Sequence, residues 1–110
     1  MYVCVYVGSY DVQSIAVDSP APNAVTLNAS YLENSPAMGV VFVLLFTGDA
    51  GSVNFTKSLY LVLDRVESSG FIQHDITPGE YSVVAFDVES NGRPWSSPAV
   101  QDRVIITGEG

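Results

Sequence analysis

The sequence predicts an all-β fold, a seven-stranded antiparallel Greek-key β-sandwich, on three observations. No segment of ten or more residues holds an i, i+3, i+4, i+7 apolar stripe free of strand formers, so a helix has nowhere to form. Val, Ile, Thr, Tyr and Phe instead fill short runs, the residue types that suit a pleated, half-buried surface. Those runs are broken at short intervals by turn chemistry: Asp18-Ser19-Pro20-Ala21-Pro22-Asn23, Glu33-Asn34-Ser35-Pro36, Gly48-Asp49-Ala50-Gly51, Ser68-Ser69-Gly70, Thr77-Pro78-Gly79 and Ser90-Asn91-Gly92-Arg93-Pro94. About seven strands between turns is the pattern of a sandwich.

The strands follow in order. Residues 1–7, Met-Tyr-Val-Cys-Val-Tyr-Val, alternate as a strand and have neither a basic flank nor the length of a signal-peptide core. In residues 24–32, Val25, Leu27, Ala29 and Tyr31 face the core while Thr26, Asn28 and Ser30 face water. Residues 39–47 are apolar on both faces, which suits a central strand and leaves its register open. Residues 57–65 set Leu59, Leu61 and Leu63 against Ser58, Tyr60, Val62 and Asp64. Residues 71–76, 81–89 and 99–107 complete the set, the last presenting Val100, Val104 and Ile106 on one face.

Length and charge bound the function. The 110 residues, 47% of them hydrophobic, suffice for one core and predict a single domain over residues 1–110. Its compactness and its Gly108-Glu109-Gly110 end predict a piece of a larger extracellular protein, with Met1 added for expression. Twelve carboxylates against four basic residues give a formal charge of −8, which excludes nucleic acid and anionic membrane as main partners. The longest apolar run is about eight residues, far short of a membrane span of about 20. A single cysteine, Cys4, excludes an internal disulfide framework and reads as a buried strand thiol, with pairing to another chain as the alternative. Two N-x-[ST] sequons, at Asn28 and Asn54, are candidate glycosylation sites.

Catalysis has little to draw on. His74 is the one histidine, and Asp75 beside it would point to the opposite face of a strand, so the two form no acid–base couple. The carboxylates are scattered singly without a calcium-loop spacing, which leaves only convergence of loop-end carboxylates as a route to a metal. No nucleophile, base and orienter assemble from this inventory, so no enzyme and no cofactor is expected.

Two surfaces are candidates for protein contact. If Tyr81, Val83 and Ala85 face the core, then Ser82, Val84, Phe86 and Val88 face outward beside a strand that is apolar on either register. That predicts a contact, with a neighbouring domain or a second copy, through Phe42 or Val43 together with Phe86 and Val88. Local cover by residues 2–7 is the simpler fate of that face. The second candidate is the loop carrying Arg93 and Trp95, residue types that dominate interface energetics, presented where a sandwich holds a loop rigidly. A Trp laid on its own domain is the plainer reading there.

Residues 76–92, Ile-Thr-Pro-Gly-Glu-Tyr-Ser-Val-Val-Ala-Phe-Asp-Val-Glu-Ser-Asn-Gly, resemble the E–F corner and F strand of fibronectin type III domains, members of the immunoglobulin-like sandwiches. Ser96-Ser97-Pro98 before the last strand extends the resemblance over the C-terminal third, and Tyr31 stands where the family places its core Trp. The stretch from Val84 to Ser97 is also similar to the end of a cadherin repeat, without that family's calcium-binding linker. The resemblance implies that Tyr81 forms a tyrosine corner, its hydroxyl capping backbone just upstream. It implies a non-catalytic adhesion or receptor-ectodomain module at the cell surface or outside it, a spacer or protein-binding unit in a tandem array. The alternative is an accessory sandwich of a secreted enzyme, stacking Trp95, Tyr60 and Tyr10 on sugar rings.

Overall fold

The structure, a computed structural model, describes residues 12–31, 37–48, 57–88 and 98–108, with the side chains of Val12 and Gln13 excepted. Seven strands run β1 (Val12–Asp18), β2 (Val25–Tyr31), β3 (Gly39–Phe46), β4 (Leu59–Asp64), β5 (Ser69–Gln73), β6 (Gly79–Val88) and β7 (Ala99–Ile106). They form two sheets, one of three strands in the order β1-β2-β5 and one of four in the order β4-β3-β6-β7. Every neighbouring pair is antiparallel, and no α-helix occurs among the described residues. The all-β expectation holds.

Both sheets share one core. Val17, Val25 and Leu27 from the three-stranded sheet meet Val40, Phe42, Leu44, Leu63, Tyr81, Val83, Ala85, Val104 and Ile106 from the four-stranded one. The expected inward sets of β2 and β6 are the observed ones, because each alternates cleanly with period two. The register of β3 is settled by Val40, Phe42 and Leu44, all at 0% exposure, so Phe42 belongs to the core and Val43 to the outer face. Gly79, at φ +153°, lets the Phe46 ring lie against the backbone where a Cβ would collide with it. Phe46 in turn meets the Tyr81 ring edge-on, centroids 5.3 Å apart.

The chain crosses between sheets at the turn after β4. Asp64 and Glu67 cap it reciprocally: the Glu67 N–H donates to Asp64 Oδ1 at 2.8 Å and the Asp64 N–H to Glu67 Oε1 at 3.1 Å. Ser68, buried at 0% exposure, shares a 2.7 Å hydrogen bond with the Tyr31 hydroxyl and donates to the Arg65 carbonyl, so its burial leaves no polar atom stranded. The Arg65 guanidinium lies 4.2 Å from the Tyr31 ring centre and donates to the Ala37 carbonyl.

Two expectations need correction, and one strand was missed. The first described strand is Val12–Asp18, a run not singled out in the sequence; residues 1–7 with Cys4 lie outside the described residues. β5 begins at Ser69 and ends at Gln73, so Ser69 and Gly70 are strand rather than turn, and His74 sits in the connection to β6. In β7 the predicted face does not exist: Val104 and Ile106 are buried but Val100 is 52% exposed. The cause is a bulge. Tyr81 pairs with Val104 while Val83 pairs with Gln101, and Arg103 takes φ +59°, so one extra residue reverses the parity of the strand.

That bulge turns Gln101 inward, where it closes the sandwich. The Val17 N–H donates to Gln101 Oε1 at 3.0 Å and Gln101 Nε2 donates to the Val17 carbonyl at 2.9 Å. A side-chain amide thereby replaces a neighbouring strand on the open edge of β1 and ties the two sheets together.

Candidate functional site

The outer faces of the sheets differ in chemistry. On the three-stranded sheet the outward residues are Ser14, Ala16, Asp18, Thr26, Asn28, Ser30 and Ile72, a polar surface with one large apolar side chain. On the four-stranded sheet, cross-strand rows run Val62–Val41–Phe86 and Tyr60–Val43–Val84–Val100. Leu45, Val88 and Ile105 extend them. Tyr60, Val62, Val100 and Ile105 are each more than half exposed, at 65, 58, 52 and 54%. Between Val100 and Ile105 a polar contact interrupts the patch, the Ser82 hydroxyl donating to Asp102 Oδ1 at 2.7 Å.

The patch follows from the local sequence. Gly39–Phe46 supplies hydrocarbon to both faces at the centre of the sheet, so one face fills the core and the other must be carried outside. Phe86 and Val88 lie on that outer face, half-buried, as expected from the parity of β6. Val100 was not legible as a member, because the Arg103 bulge reverses its parity relative to Val104 and Ile106, whereas Ile105 falls there by simple alternation with them.

The other candidates stand as follows. Tyr81 is buried at 0% exposure and its hydroxyl donates to the Thr77 carbonyl at 2.5 Å, a bond that closes the corner before β6. Burial pushes its phenol above the ordinary value of 10.0. Asn28 is half-buried on the polar face, and Ser30 of the same sequon is exposed. Asn54, Arg93, Trp95 and Tyr10 lie outside the described residues.

A shallow pocket of about 490 Å³ lies where the β1–β2 turn meets the β5–β6 connection, lined by Pro22, Asn23, His74, Asp75, Ile76, Thr77 and Pro78. Asn23 spends its polar groups on the fold. Its N–H donates to the Thr107 carbonyl, its Nδ2 to the Ile76 carbonyl, and its own carbonyl accepts from the Ile76 N–H. His74 and Asp75 are exposed on the pocket wall. Among the described residues no three of His, Cys, Asp or Glu converge to hold a metal ion, and no helix is long and apolar enough to cross a membrane. Comparisons with protein-family models, curated proteins and solved structures return no match to this chain.

Proposed function

We propose that the chain is a non-catalytic sandwich module of the fibronectin type III or immunoglobulin-like kind that makes protein contacts through the outer face of its four-stranded sheet. The observation that carries this is the apolar row Tyr60–Val43–Val84–Val100 with Val62 and Val41 beside it, across all four strands. A contiguous apolar surface of this kind favours burial against a partner, since each exposed Val or Tyr gains on the order of 1 kcal/mol or more when water leaves it. The occupant is a protein surface, either a neighbouring domain of the same chain or a separate partner.

The Greek-key reading draws support from the chain's crossing from β4 to β5 in the other sheet and from the return of β6 beside β3. The tyrosine corner at Tyr81 supports the family resemblance. An extracellular or cell-surface adhesion or receptor module is the setting that fits, with glycans at Asn28 and Asn54 and further contacts from Arg93 and Trp95. The polar face around Asn28 leaves room for a sugar on the side away from the contact.

Titration with an apolar fluorescent dye such as anilinonaphthalene sulfonate tests the contact face. The folded chain is expected to bind the dye saturably, and a Val84→Lys, Val100→Lys double variant to lose that binding with its far-ultraviolet spectrum unchanged. Absence of dye binding by the folded wild-type chain sinks the reading.

A further inference from the structure

The described strands leave four sheet edges, and three of them carry a device that prevents another strand from adding. On β1, the Gln101 amide occupies the N–H and C=O of Val17. β5 is five residues long, and Gly70 at φ +127° interrupts its register with β2. β7 is bulged at Arg103. β4 has none of these: its register with β3 is unbroken from Leu59 to Asp64, it contains neither Lys nor Pro, and no described residue pairs with its outer side.

The orientation of its backbone follows from the turn. The Asp64 N–H is taken by Glu67 Oε1 and the Asp64 carbonyl by the Ser68 N–H, so both point away from β3. Main-chain groups alternate sides with period two along a strand. Tyr60 and Val62 therefore direct their N–H and C=O groups to the open edge, whereas Leu61 and Leu63 direct theirs to β3.

We propose that β4 is a self-association edge through which two copies of this chain pair antiparallel, the two-fold axis passing by Leu61. Tyr60 of each copy then stands opposite Val62 of the other, and each such pair exchanges both of its main-chain hydrogen bonds. This register uses the groups the fold leaves over. It also sets an aromatic ring against a β-branched side chain on the outer face, a favourable cross-strand pair, where the two residues are 65% and 58% exposed in the single chain.

Charge selects the same occupant. Lys57 precedes β4, Asp64 ends it and Glu67 follows; Arg65, at the same end, is turned to its own chain, its guanidinium over the Tyr31 ring and on the Ala37 carbonyl. Antiparallel pairing brings the basic end of each strand against the acidic end of the other, twice over. Parallel pairing would set like ends together. A chain of net charge −8 repels its copies elsewhere, so this local complementarity singles out the β4 edge. The product is one eight-stranded sheet with an apolar face continuous across both copies. The pairing goes beyond the face contact proposed above and does not require it.

Sedimentation equilibrium over a wide concentration range tests the edge. The wild-type chain is expected to show a monomer–dimer equilibrium with Kd on the order of 100 µM, as small interfaces do, weakened by added salt. Val62→Pro removes an N–H that β3 does not use and is tolerated on an edge; it is expected to be a folded monomer. Val62→Lys, which puts like charges beside the axis, serves if the proline variant fails to fold. Val100→Lys, on the same outer face but at the far edge of the sheet, is expected to dimerise as the wild type does. A wild-type chain that stays monomeric, or dimers that survive both Val62 substitutions, overturn the edge. Loss of the dimer in Val100→Lys also overturns it, in favour of face-to-face stacking. Dye binding by the monomer reads the face contact independently of all three outcomes.

Discussion

The two sheets of this sandwich share a core but present opposite chemistry to their surroundings. The central strand of the three-stranded sheet, β2, carries Thr26, Asn28 and Ser30 outward, whereas the central strand of the four-stranded sheet, β3, carries Val41, Val43 and Leu45. Both are flanked on each side by hydrogen-bonded neighbours, so position in a sheet does not explain the difference. A strand needs one apolar face to hold the core; a second apolar face contributes nothing to the isolated fold and costs solubility. The outer face of β3 is therefore where the composition exceeds what the fold itself requires.

Within β3 the contrast is sharpest between adjacent residues, and it sets the largest expected effect. Phe42 is fully buried between Leu61 and Ala85, so Phe42→Ala leaves a cavity and is expected to lower stability by about 3–5 kcal/mol. Val43→Ala, one position along on the outer face, should cost roughly 1 kcal/mol or less. Urea unfolding of the two variants measures the difference. Equal losses would mean that the outer face of β3 is covered as thoroughly as the inner one, and the contrast between the sheets would disappear.

A middle-sized effect tests what joins the sheets. Gln101→Leu keeps the volume but leaves the Val17 N–H and C=O facing hydrocarbon, and the loss of two backbone partners is expected to cost about 1–3 kcal/mol. Amide exchange should localise it: Val17 is expected to lose protection in the variant while Phe42 and Val83 keep theirs. Uniform loss of protection would show that the edge clamp is part of the global core instead.

Tyr81→Phe is expected to cost about 1 kcal/mol by removing the hydrogen bond to Thr77, and its pH dependence gives a second readout. The folded phenol titrates above its ordinary 10.0 because burial disfavours the phenolate. The unfolded chain therefore releases that proton first as pH rises, so the contribution of Tyr81 is intact below pH 10.0 and declines as pH climbs from there toward the folded value. Thermal midpoints measured from pH 8 upward should fall more steeply for the wild type than for Tyr81→Phe. Parallel curves would mean that Tyr81 ionises as readily in the folded chain as in the unfolded one.

How much of this was legible from the residues depends on what sets each register. β2 could be read because Val25 and Leu27 alternate with Thr26 and Asn28, and β6 because the Pro-Gly-x-Tyr corner sets Tyr81 inward and Val83 and Ala85 with it. β3 could not, because valine, leucine and phenylalanine occupy both of its faces, and its parity comes only from pairing with Leu61 and Ala85. β7 was misread because its bulge sits at Arg103, a residue type that gives no warning of a positive φ. The Gln101 clamp was invisible for a related reason: a glutamine reads as outward until the bulge turns it in. Of the contact face, Val43, Phe86, Val88 and Ile105 were within reach of pattern reasoning, while Val100 depended on the bulge.

The smallest expected effect lies on the polar face. Asn28 faces Ala16 on β1 and Ser69 on β5, small neighbours on both sides, and Gly70 lies beside its amide oxygen. Asn28→Gln should therefore change stability by no more than about 0.5 kcal/mol, in keeping with a surface site that carries no packing. If the chain is secreted through a glycosylating host, the same substitution should remove one glycan by mass, and it should leave dye binding at the four-stranded sheet untouched. A large loss of stability would show that the polar face packs against part of its own chain. Lost dye binding would show that the two faces are coupled, and the division of labour between the sheets would have to be abandoned.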